Sequence, residues 1–201
     1  MKKLSKILIL IALLAVVGCT PSPQATIEGH ITEAADKMLY LDYIGVERTM
    51  VADSARLDKD GAFRFRVAQP ECFDFYRLRI GREMVYLSVD STETLTFTSA
   101  LPAMSVAYEV EGSEDNLMLR QLVLMQRELQ HAVLQVARTA GSDVRTAQAH
   151  VDSLVMAYKK DVRMEYIFPD PGKPYAYFAL FQRLVKGSKM SCPPKRWKSA
   201  K

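Results

Sequence analysis

Hydrophobic and polar positions alternate with a period of two from Ala25 to about Gly112, after which the spacing becomes helical. In the first stretch, ATIEGHIT, KMLYLDYI, RTMVADSARL, AFRFRV, DFYRLRI, EMVYLSV and ETLTFTS are rich in Val, Ile, Thr, Tyr and Phe. These residue types fit a pleated, half-buried surface. Turn signals separate them at Glu33 to Asp36, Gly45, Asp58 to Gly61, Gln69-Pro70, Gly81 and Asp90-Ser91, and AMSVAYEVEG supplies a last strand. In AFRFRV, Phe63, Phe65 and Val67 share one face while Arg64 and Arg66 share the other, which predicts a half-buried antiparallel strand with solvated arginines. The pattern predicts an antiparallel β-sandwich or open barrel of seven to eight strands over residues 25–112.

Past Gly112, Ser113 is a good N-cap, and Glu114 and Asp115 place negative charge in the first turn, where the helix dipole favours it. Leu119, Leu122, Val123, Gln126, Leu129, Val133, Val136 and Ala137 then follow helical spacing, and Gly141 ends the element. Ser142 or Asp143 caps a second helix with Val144, Ala147, Val151, Leu154, Val155 and Tyr158 as its apolar stripe. The two are expected to pack as an αα-hairpin. Pro169, Pro171 and Pro174 break the chain, and Pro174 opens a third helix running through Tyr177, Leu180, Phe181 and Leu184. The expected class is α+β: the strands first, then two to three helices over residues 113–186. Residues 187–201 are basic and without periodicity, and are expected to be disordered.

The amino terminus has a different character. Lys2, Lys3 and Lys6 precede an uninterrupted apolar run from Ile7 to Val17, the layout of an export signal and too short for a comfortable membrane span. The run ends in Val16-Val17-Gly18-Cys19, which resembles a bacterial lipobox. Small residues before the cut admit the backbone to a peptidase cleft, and the Cys19 thiol accepts diacylglycerol. Residues 1–18 are thus expected to be removed and residues 19–24, rich in Pro and polar groups, to form a tether from acylated Cys19. Thr20, not Asp, follows the cysteine, and the resemblance to lipoproteins of Gram-negative bacteria then implies delivery to the outer membrane rather than retention at the inner one; the expected address is the outer membrane, facing the periplasm.

Charge narrows the choice of partners. The net charge is +4, yet residues 19–185 hold 18 basic and 23 acidic side chains, a net of −5. A nucleic-acid binder wants the opposite sign on its folded part. Besides Cys19 there are Cys72 and Cys192, which could pair in an oxidising compartment. The favoured expectation is a buried, unpaired Cys72 in a strand-like region and an incidental Cys192. No CxxC is present, so the dithiol of exchange enzymes is missing.

Candidate chemistry is sparse. Asp58-Lys59-Asp60-Gly61 has the flavour of a calcium loop, but Val67 stands where a bidentate Glu is needed, so the segment is read as a hairpin turn. His131 and His150 lie on the two helices without a third ligand, and His30 is isolated in the first strand. Ser54 has neither a GxSxG context nor a base at identifiable spacing. Tyr166, Phe168, Tyr175, Tyr177, Phe178 and Phe181 cluster around the proline-rich break, as a binding surface or as packing between helix and sandwich. No catalytic, cofactor-binding or metal-binding residue is assigned.

The stretches DSARLDKDGAFRF, VEGSEDNLMLRQL and EYIFPDPGKPYAYFALFQRLV, in this order, resemble a family over residues 25–186. It is the N-terminal domain of unknown function found in Gram-negative lipoproteins ahead of a thioredoxin-like (TlpA- or ResA-like) domain. The matching positions are Asp53, Ser54, Ala55, Asp60, Gly61, Phe63, Phe65, Gly112, Ser113 and Asn116, turn and cap residues as much as family marks. The resemblance implies an accessory domain, standing alone or truncated from a longer oxidoreductase, because the chain reaches Lys201 without the CxxC domain. The expected function is a non-catalytic, membrane-tethered module that binds a protein partner in the envelope. The alternatives are thiol-disulfide exchange in trans through Cys72 or Cys192, and a ligand-binding sandwich for sugars or envelope polymers. For the last of these, no exposed aromatic platform is legible before Trp197.

Overall fold

The computed structural model describes residues 22–141, 143–185 and 188–189. The expected export signal, Cys19, Cys192, Trp197 and most of the basic tail lie outside the described residues.

Eight strands form two four-stranded sheets. They are β1 (Gln24–Thr32), β2 (Met38–Ile44), β3 (Thr49–Arg56), β4 (Ala62–Ala68), β5 (Asp74–Ile80), β6 (Glu83–Val89), β7 (Thr94–Ala100) and β8 (Tyr108–Glu111). One sheet has the order β4-β1-β7-β8 and the other β3-β2-β5-β6, and neither closes into a barrel. The architecture is an α+β sandwich followed by helices. Every pairing among these strands is antiparallel except β1 with β7, which run parallel with Ile27 beside Leu95 and Ile31 beside Ser99. That departure from the expected all-antiparallel body follows from the return of β7 to the first sheet between β1 and β8, a long-range pairing that alternation cannot encode.

The alternation does its physical work in the interior. Ile27, Ile31, Leu39, Leu41, Leu78, Leu87, Leu95 and Phe97 are completely buried between the sheets, with Phe63, Phe65 and Val67 of β4 among them. Arg64 points outward and pairs with Glu28 of β1 at the surface. Phe65 lies opposite Ile27 across the ladder.

The Asp58–Gly61 turn corrects one expectation. It is not a hairpin, because β3 pairs with β2 in one sheet while β4 pairs with β1 in the other. Asp58 accepts hydrogen bonds from the Asp60 and Ala62 amides, and Gly61 adopts φ +67°. A Cβ at Gly61 would meet the Ile31 carbonyl at 2.0 Å, so this bend carries the chain between sheets where only glycine fits. Local turn chemistry sets the bend, and distant partners decide its use.

A second correction concerns Cys72. It lies in the exposed connection between β4 and β5, not in a buried strand, and its thiol is free. Pro70 and the loss of alternation after Ala68 stop β4 before the cysteine is reached.

Three helices follow: α1 (Glu114–Thr139), α2 (Val144–Val162) and α3 (Pro174–Phe181). Gly112, with φ +95°, turns the chain out of β8, and a Cβ there would strike the Thr94 carbonyl at 2.0 Å. Ser113 caps α1 by accepting from the Asn116 amide. Asn116, 2 % exposed, then donates to the Ser88 carbonyl and accepts from the Ser88 amide at 2.7 and 2.9 Å. It completes the outer edge of β6 as a partner strand would, and so fixes the helix to the second sheet. Asp143 caps α2 through the Thr146 amide. One π-turn, Arg163–Ile167, ends that helix before Pro169.

The third helix is shorter than its sequence pattern predicts. It stops at Phe181, Gln182 is extended, and Leu184 belongs to a short strand β9 (Arg183–Val185) paired with β10 (Ser188–Lys189). Thus Ser188 and Lys189, expected to be disordered, pair as strand. Gln182 is buried and accepts a hydrogen bond from the Tyr158 hydroxyl at 2.6 Å, a link to α2 that pulls the backbone out of helical form.

Candidate functional site

The second sheet has an outer face, and the strand rule decides what stands on it. In β5, Tyr76, Leu78 and Ile80 point inward, so Phe75, Arg77 and Arg79 point outward. Tyr86 of β6 lies opposite Arg77, and Met84 opposite Arg79. An apolar and a basic region therefore share one face.

Helix α3 packs across the apolar end. Pro174 sets its first turn, and Lys173 before it reaches Asp115 of α1 at 3.1 Å, tying the two helix starts together. That hydrogen bond to Asp115 raises the Lys173 pKa. The small residues Ala176 and Ala179 are completely buried and allow close approach. Helical spacing then puts Tyr177 and Phe181 on one exposed face with ring centroids 4.8 Å apart, and turns Phe178 toward the sheet. Phe178 meets Tyr86 at 5.3 Å and Phe75 at 5.9 Å, while Tyr177 stacks on Phe75 at 6.2 Å and meets Phe73 edge-on at 5.7 Å.

Between this helix and the β2–β3 turn lies an open groove of about 550 Å³. Tyr43, Phe73, Phe75, Tyr86, Tyr177, Phe178 and Phe181 are its aromatic lining, and Ile44 and Val46 form its opposite lip. Among the described residues its one charged group is Asp74, which accepts a hydrogen bond from the Tyr43 hydroxyl at 3.3 Å. The nearby carboxylate raises the Tyr43 pKa. Phe181 is 68 % exposed and Tyr177 43 %, so the apolar lining faces solvent.

A second, smaller cleft of about 190 Å³ lies on the other side of the Tyr86–Phe178 pair, between β6 and α1. Arg82, Gln126, Arg127 and Gln130 supply its polar lining, with Met84 and Val123. Further along the face, Asp42 of β2 is held by Arg77 at 2.6 Å and Arg79 at 2.8 Å. Its side chain is only 2 % exposed, and the hydrogen bond from Arg79 holds its carboxyl below the ordinary value against the opposing effect of burial. Two guanidiniums on one carboxylate leave a unit of positive charge on this face. Arg79 also lies over the Tyr40 ring at 4.5 Å.

The predicted family positions do not converge on one place. Asp53 and Ser54 are exposed on edge strand β3, where Asp53 accepts from the Ser54 amide. Asp60, Gly61, Phe63 and Phe65 belong to the inter-sheet turn and the core, and Gly112, Ser113 and Asn116 to the α1 junction. Of the aromatic cluster, Tyr177, Phe178 and Phe181 line the groove, Tyr166 and Tyr175 pack edge-on in the helical core at 6.3 Å, and Phe168 is exposed. His131 and His150 are exposed on α1 and α2. Among the described residues no group of three or more His, Cys, Asp or Glu could hold a metal ion.

Sequence reasoning missed Phe73, Phe75 and Tyr86 as site residues. The signal available was an aromatic residue at an outward position of an alternating strand, where a charged residue is usual.

Fold and site define the molecule as a β-sandwich with a helical cap and an open aromatic groove between them. No family model matches this chain, and no curated protein matches it. Among solved structures it is similar to the N-terminal domain of AlgF from P. aeruginosa, at 13% identity and a TM-score of 0.32, over 47% of this chain and 98% of that one. It is also similar to (S)-allantoin synthase, at 9% identity and a TM-score of 0.33, over 52% of this chain and 48% of that one. At that level neither likeness bears on function.

Proposed function

We propose that this chain is an envelope lipoprotein acting as a non-catalytic binding module, held at the outer membrane by acylated Cys19 and facing the periplasm. The aromatic groove is its binding face. The groove carries the reading: about 550 Å³ of open, mainly apolar space falls within the roughly 300–1,000 Å³ of small-molecule sites, and Val46, Tyr177 and Phe181 of its lining are exposed. The lipobox-like VVGC and the basic-then-apolar run before it support the anchor, and the ordered resemblance to the domain ahead of thioredoxin-like lipoproteins supports an accessory role.

Two measurements test this. Mass spectrometry of the protein isolated from membranes is expected to give a diacylated or triacylated amino terminus at Cys19; an intact Met1 terminus or a cytosolic pool would overturn the address. A photo-crosslinking residue in place of Phe181 is expected to capture a bound molecule in cells, whereas the same label at Asp53 on the far edge strand captures none. Equal capture at both positions would remove the groove as the binding face.

One observation favours a second reading. The free Cys72 thiol is exposed and directly precedes Phe73 of the groove wall. In that reading its thiolate attacks a partner's disulfide, forming a mixed disulfide and releasing the partner's other sulfur as a thiol. Retention of all partner capture in Cys72→Ser would eliminate it.

A further inference from the structure

The groove and the basic cleft meet at one wall. Tyr86 and Phe178 line both, so the about 550 Å³ apolar trough and the about 190 Å³ polar cleft are separated only by that pair of rings, 5.3 Å apart. The charges at the two ends differ in sign. Asp74 lines the trough and not the cleft. Arg82 and Arg127 stand in the cleft, and neither has a carboxylate within ion-pair distance among the described residues. The Arg77–Asp42–Arg79 group next along the face adds a residual positive charge beside Tyr86 and Met84. This concentration of arginine contrasts with the net of −5 over residues 19–185.

From this arrangement we infer that the paired site takes an amphiphilic anion, with its hydrocarbon chain along the aromatic trough and its carboxylate or phosphate between Arg82 and Arg127. The inference rests on the groove being the binding face, and adds the ligand's class and its direction. Charge selects the direction: an anionic head beside Asp74 meets a like charge, and in the cleft meets two guanidiniums, each a fork of donors suited to carboxylate or phosphate. Apolar lining at Ile44, Val46, Phe75 and Phe181 suits an acyl chain, because removing that chain from water is favourable in proportion to the area covered. A neutral sugar would leave both guanidiniums unused.

Residues 20–201 carry every described strand and helix and both hydrophobic clusters, and serve for the experiment. Decanoate, decyl phosphate, decanol and decylammonium are titrated below their micelle concentrations, by displacement of a fluorescent apolar dye and by calorimetry. The anions are expected to bind about tenfold or more tightly than the alcohol or the amine. Arg82→Gln and Arg127→Gln are each expected to weaken anion binding about tenfold and leave decanol unchanged. Phe181→Ala, at an exposed position, weakens all four. The ratio of decanoate to decyl phosphate separates a fatty-acid source from a phospholipid one. If decanol binds and Phe181→Ala weakens it, but the arginine variants bind anions as well as the parent, the anion inference fails while the groove reading stands. If none of the four binds, the amphiphile inference fails, and the crosslinking comparison between positions 181 and 53 decides the groove reading. A protein crosslinked at position 181 that decanoate does not displace would overturn the amphiphile in favour of a protein ligand.

Discussion

The sandwich and its helical cap bury apolar side chains by different means. In the sandwich every strand but edge strand β3 surrenders alternate residues to a space closed on both sides, so Ile27, Leu39, Leu41, Leu78, Leu87, Leu95 and Phe97 have no exposed surface at all. In the cap only the region near the sheet reaches that state, with Leu119, Leu122, Val162, Ala176 and Ala179 completely buried. Further out, Leu134 is 55 % exposed, Met156 65 % and Val144 71 %. The cause is geometric. Helix α1 has 26 residues and is about 39 Å long, whereas the seven-residue strand β6 spans about 24 Å. The distal halves of α1 and α2 therefore cover only each other. The difference teaches where function has room: the sandwich is a filled scaffold, and the space that remains open lies where an amphipathic helix crosses a sheet it does not fully cover.

Phe65→Ala should test the comparison most severely. It removes a 2 % exposed ring from between two sheets that cannot collapse around it, and about 3–5 kcal/mol of unfolding free energy should be lost in urea titration. Leu154→Ala, at a half-buried position of α2, should lose about 1 kcal/mol by the same measurement. Equal losses would abolish the distinction between the two regions.

Next in size is Asn116→Ala, which leaves both backbone groups of Ser88 buried without a partner and should cost about 2–3 kcal/mol. Asn116→Asp keeps the acceptor and loses the donor, so it should fall between the parent and the alanine variant. Amide exchange at Ser88 reports the break directly, and unchanged protection there would show that the helix is fixed to the sheet by other means.

The Asp42 group should give a smaller effect that depends on pH. Its carboxyl is held below its ordinary value, chiefly by the Arg79 hydrogen bond, so folding favours the ionised form. Its contribution is fully present above the unfolded value of about 3.9 and is lost as pH falls through the lower folded value. Thermal melts should show Asp42→Asn less stable than the parent at neutral pH, with the gap narrowing as the pH is lowered below about 4. A gap independent of pH would mean that packing, not charge, is what the substitution removes.

The smallest effect is expected at the hairpin tip. Leu134→Ser should change stability by no more than about 0.5 kcal/mol, and the amides around Gly141 should exchange far faster than those of β1 or β7. Protection at the tip comparable to the strands would require a partner that covers it.

Much of the body was legible because its signals are local. Phe63, Phe65 and Val67 announce a buried face through their spacing, Ser113 a helix start through its hydroxyl, and Pro174 a first turn through its missing donor. Cys72 and Leu184 were misplaced for the same reason in reverse. Each stands at the margin of a strong pattern, and what ended that pattern was a loop after Pro70 in one case and a contact between Gln182 and Tyr158 in the other.

The groove was legible only as ingredients. Tyr177, Phe178 and Phe181 were visible as a cluster, but Phe73, Phe75 and Tyr86 read as ordinary strand residues about 90 to 110 positions away in the chain. Sequence by itself determined which faces are apolar, where the turns bend and where the helices begin, because periods of two and 3.6 and the chemistry of caps are properties of neighbouring residues. Tertiary structure alone decided that β1 lies parallel to β7, that the Asp60-Gly61 bend joins two sheets, and that α3 returns over β5 and β6. Those are choices of partner between distant segments, and a period states only which side a residue faces, never what will come to face it.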